Sequence, residues 1–243
     1  MRLAVISCAI FTRMLSRAVA DCPNSCRLFF LEQGLHNTPI LLREKIQQCI
    51  DEVEVHNRSV SKTQQFDAIL LAYGLCSNGI CGVRAGDIPL IIPRTDDCIG
   101  IFLGSQSRYL DYFYKIGGVY WFNSAWYEQA VLPSKSRLDE LFEQYNTQYG
   151  EDSAGYLIET ELDSLHRYRN AVFIRDPFDY DEHIRNAKQA ASDFGWGYHE
   201  VNGDSSMISR LLEGEWGSKE FLFVPPNQSI VPTYDDLKIS AQP

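Results

Sequence analysis

The chain has 243 residues, 45% of them hydrophobic and 22% charged, with a net charge of −10. That is the composition of a globular protein large enough for a real core, and its acidity excludes nucleic-acid or anionic-membrane binding through a basic face. Its seven cysteines, odd in number and scattered, point to free or metal-bound thiols in a reducing, cytoplasmic setting.

Taken in order, the chain opens on an apolar run, Leu3-Ala4-Val5-Ile6-Ser7, that ends on Cys8. Met1-Arg2, this run and Ala18-Val19-Ala20 have the outline of an export leader. Arg13 and Arg17 interrupt it, however, and Val5-Ile6 reads as a buried strand. No stretch approaches the roughly 18 apolar residues that span a bilayer. A turn at Cys22-Pro23-Asn24-Ser25-Cys26 leads to a second strand, Leu28 to Leu31, and a loop containing His36. Thr38 and Pro39 then offer a cap and a first helical residue to a helix whose stripe is Ile40, Leu41, Ile46 and Ile50.

The run from Phe66 to Leu75 is the clearest strand and ends on Cys76. The run from Ile88 to Pro93 continues through Arg94-Thr95-Asp96-Asp97 to Cys98. Residues 99–114 read as one helix, Val119 to Phe122 as a strand, and residues 134–169 as two helices broken near Gly150. Strands at 171–174, 198–201 and 221–224 alternate with helices at 181–194 and 205–212, and a Pro-rich, polar tail follows. Such alternation predicts an α/β fold, a mainly parallel sheet with helices on both faces, arranged as two Rossmann-like lobes. The expected division is a lobe at 1–126 carrying the Cys/His cluster, a helical connection at 127–170, a second lobe at 171–226 and a tail at 227–243.

If the strands are parallel, the residues at their carboxyl ends share one edge, where open α/β sheets bind ligands. Cys8, Cys76 and Cys98 would converge there with His36, which is a ligand set suited to zinc. The bland alternative is that cysteine ends strands because it packs like a small hydrophobe. Asp97 is a candidate general base, or merely the cap of the following helix. Arg94 is a candidate anchor for an anionic substrate, or a partner for Asp97. The glycine-spaced loop at 74–82 lacks both dinucleotide and Walker spacing. There is no nucleophile-elbow or zincin motif.

Three stretches together resemble the "domain of unknown function 1638" family of bacteria and archaea: Tyr73-Gly74-Leu75-Cys76-Ser77-Asn78-Gly79, Ile92-Pro93-Arg94-Thr95-Asp96-Asp97-Cys98-Ile99 with Gly104-Ser105, and Gly34-Leu35-His36-Asn37-Thr38-Pro39. The similarity runs from Leu3 to about Pro226. The resemblance implies matching cysteines at Cys8, Cys76 and Cys98, and a gene setting near corrinoid-dependent methyltransferases. The chain departs from the family pattern at Asp96, where a histidine is common, and near Arg13, where an acid is common.

The resulting expectation is a zinc-thiolate protein. Cys8, Cys76, Cys98 and His36 would hold the metal, Asp97 and Arg94 would serve a small-molecule substrate, and methyl transfer would be the setting, with a corrinoid protein or methyltransferase as partner. Two alternatives stand beside it: a non-catalytic carrier of metal or corrinoid, and a metal-free enzyme using Cys76 as nucleophile at a helix start.

Overall fold

A computed structural model describes residues 1–243. The chain divides into two compact units, one made of residues 1–109 and 204–243, the other of 110–203.

The first unit is built on β1 (Arg2–Cys8), β2 (Ser25–Leu31), β3 (Ala68–Ala72), β4 (Leu90–Pro93) and β8 (Phe221–Val224), hydrogen-bonded in the order β2-β1-β3-β4-β8. The first four are mutually parallel, and β8 closes the edge antiparallel to β4, with Leu90 opposite Val224. All five residues of β3 are buried, as are Leu3 to Ile6 in β1, which is what a sheet covered on both faces requires. Helix α2 (Pro39–Ser59) covers one face. Its Leu42, Ile46, Ile50 and Val53 share a core with Ala4, Ile6, Ile69 and Leu71. Each such side chain contributes about 1.5–3 kcal/mol when fully buried. The alternate residues Leu3, Val5 and Leu70 point the other way by the strand's two-residue period. On that side lie α1 (Thr12–Asp21) and α9 (Ser206–Glu213), packed on each other, with α9 against β3 and β4.

This topology sends the chain from β1 to β2 on one side and then, through α2, back to β3 on the other. The strand order therefore reverses between β1 and β3, and in such sheets the crevice beyond the carboxyl ends at that switch is the ligand-binding position. Pro39 takes the first turn of α2 as expected. The Thr38 side chain makes no cap hydrogen bond; its carbonyl instead accepts the Leu42 N–H at 3.1 Å.

The second unit has a parallel sheet, β5 (Val119–Phe122), β6 (Asn170–Arg175) and β7 (Gly197–Asn202), in that order. Helix α8 (Asp181–Phe194) approaches β6 closely because the side it buries is Ala187, Ala190 and Ala191. Phe122, Phe173 and Trp196 complete that core. Helix α5 (Ser124–Gln129) precedes two longer helices, α6 (Lys135–Tyr149) and α7 (Glu151–Leu165), separated by Gly150 at φ 82°.

Four expectations are corrected. Helix 99–114 is two helices, α3 (Cys98–Phe102) and α4 (Gln106–Ile116), because Gly104 takes φ 78° between them. Strand β5 belongs with β6 and β7 rather than with the first sheet, and β8 belongs to the first sheet rather than the second. The units therefore do not follow the expected boundaries near 126 and 170, because pairing partners are chosen across the chain. The Pro-rich tail, expected either to wrap the surface or to be loose, instead folds: β9 (Ser229–Pro232) and β10 (Ile239–Gln242) form an antiparallel hairpin with Ile230 and Ile239 buried. No helix is long and apolar enough to cross a membrane.

Candidate functional site

Cys8, Cys76 and Cys98 all lie at the carboxyl edge of the first sheet. Cys8 is the last residue of β1. Cys76 lies four residues beyond β3, and Cys98 opens α3, beyond β4. The β3 and β4 exits stay paired after the strands end: Leu75 N–H donates to the Thr95 carbonyl at 2.8 Å and Cys76 N–H to the Asp96 carbonyl at 3.0 Å. Gly74 allows this close approach, since a Cβ placed there would sit 2.7 Å from backbone atoms of Asp97.

Immediately afterwards Cys76, Ser77 and Asn78 take φ values of 47°, 56° and 62°. Three successive non-glycine residues in the left-handed region cost about 1–2 kcal/mol each. Hydrogen bonds from Gly79 N–H to the Cys76 carbonyl (2.9 Å) and from Cys81 N–H to the Asn78 carbonyl (3.0 Å) hold the turn. Strain of this kind concentrates at functional sites.

The thiols feel one another. Burial, then the Asp97 carboxylate and Cys8, push the Cys76 thiol up to about 12. Cys98 is raised well above its ordinary 9.0 by burial, then Asp97, Cys76 and Cys8. Burial also raises Cys8, against a backbone hydrogen bond involving Ile10. Asp97 is itself raised by burial, although the backbone N–H groups of Ile99 and Gly100 favour its charge. Two tyrosines border the cluster. Tyr109 is hydrogen-bonded to Asp97. Tyr73, only 3% exposed, feels Cys8 and Cys76, and its hydroxyl has no partner among protein groups.

The arrangement is therefore a set of neutral thiols gathered around one strained loop. With its thiol pushed up to about 12 by burial, then Asp97 and Cys8, Cys76 is neutral near pH 7, which makes it a poor free nucleophile. It is also not at a helix N-terminus, the position that would have lowered its pKa. The donor chemistry suits a thiophilic cation, whose charge would offset the mutual repulsion of ionised sulfurs. The spacing is not that of a formed coordination shell: no group of three or more His, Cys, Asp or Glu is arranged to hold a metal ion.

The other expected site residues are placed differently. His36 is exposed in a short 3₁₀ turn, residues Leu35–Asn37, beyond β2; burial lowers its pKa, with no contribution from the thiols. Asp97 does cap α3, accepting from Ile99 N–H at 2.8 Å, while remaining beside the thiols. Arg94 does not meet Asp97. Its guanidinium donates to the backbone carbonyls of Leu237, at 2.7 Å, and Ile239, and so pins the C-terminal hairpin. Asp96 is tied to Lys238 at 3.0 Å and to the Gln106 amide at 2.6 Å.

Sequence reasoning did not single out Tyr73, and it took Tyr109 only as part of an aromatic run, core or pocket wall, without linking it to Asp97. Tyr73 stands beside the Gly74-Leu75-Cys76 signal, but only the fold makes its hydroxyl an orphan under the thiols. No curated protein and no solved structure matches this chain. A family model described as a protein of unknown function (DUF1638) matches residues 30–212, more than half of the chain and all of the β3 and β4 exits, and the chain belongs to that family.

Proposed function

We propose that this is a metal-thiolate protein, zinc being the ion its donors suit, which takes a small substrate at the carboxyl ends of β1, β3 and β4. The observation that carries the reading is the convergence of Cys8, Cys76 and Cys98 at the point where strand order reverses. Cys8 raises Cys76, and Cys76 and Cys8 raise Cys98, so ionising these sulfurs together calls for a compensating positive charge. The three sulfurs are the ligands in this reading, and His36 is a fourth only if its exposed turn folds inward. Zinc held by thiolates supplies Lewis acidity and keeps a bound sulfur nucleophilic. That chemistry suits transfer of a methyl group to sulfur, with a corrinoid protein or methyltransferase as partner.

The chain's own residues have definable tasks. Asp97, with its carboxyl raised by burial, holds or takes up a proton beside the substrate position. The Tyr73 hydroxyl, buried and unpaired, donates to whatever enters above it.

The test is metal content by mass spectrometry, on protein purified without an affinity tag and after exposure to zinc followed by desalting. Near one zinc per chain is expected, and loss of it in a Cys76→Ser, Cys98→Ser double variant. Parent protein that retains no metal under either condition would overturn the reading.

A further inference from the structure

The opposite edge of the same sheet carries a second thiol pair, which the candidate site does not use. Cys22 ends α1 as its C-cap and Cys26 is the second residue of β2. The register Arg2 opposite Ser25 places both at the amino ends of the strands. Cys8 is six residues from Arg2, so the pair lies about 20 Å from the thiol cluster at ~3.3 Å per residue.

The Cys26 thiol feels the neighbouring Cys22, and both side chains bond to the residue midway between them. The Asn24 N–H donates to Cys22 Sγ at 3.4 Å, and Cys26 Sγ donates to the Asn24 carbonyl at 3.7 Å. Three hydrogen bonds anchor the loop to two partners. The Asn24 amide donates to the Leu212 carbonyl at 2.8 Å, and Cys22 Sγ reaches the same carbonyl at 3.4 Å. The terminal ammonium of Met1 donates to Asn24 Oδ1 at 2.8 Å. Both cysteines are free and half-buried, so solvent reaches them.

We propose that Cys22 and Cys26 are a redox modification site, a dithiol that a low-molecular-weight disulfide converts to an intrachain disulfide. One cysteine, as thiolate, attacks a sulfur of the reagent R–S–S–R. A protein–SR bond forms, the reagent's S–S bond breaks, and the departing thiolate takes up the proton. The second cysteine then attacks the protein sulfur and expels the other R–S⁻, which is protonated in turn. In sum, two S–H groups are lost, one S–S bond is exchanged for another and two RSH are released. Either cysteine serves as the attacking thiol, and the other, four residues along the chain, resolves the mixed disulfide. Oxidation also removes the Cys22 S–H that the Leu212 carbonyl accepts, releasing one of two ties between this loop and the end of α9.

The experiment is equilibration of the reduced full-length protein in buffers of graded reduced and oxidised glutathione. An acid quench, alkylation and peptide mass spectrometry follow, with Cys22→Ser and Cys26→Ser variants in parallel. The expected product is a species lighter by two hydrogens, with one Cys22–Cys26 disulfide and full recovery in dithiothreitol. Each variant is expected to stop at a glutathione adduct on its remaining cysteine of the pair. Complete alkylation of Cys22 and Cys26 at every buffer ratio would overturn the proposal. So would a first disulfide formed among Cys8, Cys76 and Cys98 instead. The first of these results does not depend on whether the distant thiols hold a metal.

Discussion

Replacing Gly74 with alanine puts a methyl group where the structure has backbone. An ideal Cβ at this position lies 2.7 Å from the Cα, carbonyl carbon and carbonyl oxygen of Asp97. Carbon atoms pack best at about 3.5–4.0 Å, so the β3 and β4 exits must part by roughly 1 Å. Neither side yields as a flexible side chain would, because both are main chain joined through Leu75–Thr95 and Cys76–Asp96. Overpacking of this kind costs about 1–3 kcal/mol, and a stretched rung adds about 1 kcal/mol. The reduced freedom of the unfolded chain returns about 0.4–1 kcal/mol. The net loss is about 1–3 kcal/mol, or a fall in melting temperature of about 2–12 °C for a chain of this size. The matched control is Gly155→Ala, in the interior of α7 with nothing within 4 Å of its Cβ; it should stabilise by about 0.5–1 kcal/mol. Calorimetric melting in the presence of reductant, together with the rate at which native thiols react with an aromatic disulfide, reads both effects. Gly74→Ala should melt lower and expose Cys76 and Cys98 faster. An unchanged melting temperature with unchanged thiol rates would show that the two exits are not held together as described.

Two further substitutions probe the wall of the cluster. Tyr73→Phe deletes a buried hydroxyl that has no protein partner; relief of an unsatisfied polar group should raise the stability of metal-free protein by about 1–3 kcal/mol, and a lower melting temperature would refute the orphan assignment. Asp97→Asn tests linkage. Burial raises the folded pKa of Asp97 above its ordinary 3.8, so its contribution to stability is fully present below the unfolded pKa and is lost as pH rises through the folded one. The asparagine keeps an oxygen to cap α3 and does not titrate, so the melting curve of the variant should gain on the parent as pH rises through that window. A gain that shrinks with rising pH would contradict the sign.

Much of this protein is set by short-range pattern. Short, β-branched apolar runs bounded by turn residues favour strands buried on both faces, so β1, β3 and β4 were legible, as was their common habit of running into Cys8, Cys76 and Cys98. The helix beginning at Pro39 and the break at Gly150 follow equally from local backbone preference. Tertiary structure decided what depends on partners distant in the chain. Val119 to Phe122 and Phe221 to Val224 read alike as strands, yet they pair in different sheets, because hydrogen-bonding partners are chosen by topology. The same holds for the site: Arg94 is drawn to carbonyls more than 140 residues away, His36 is left exposed, and Tyr73 acquires its meaning only from the thiols that the fold lays against it. Residue type and spacing announce which groups can do chemistry, while burial and the company of other charges, which exist only after folding, settle which of them share a site.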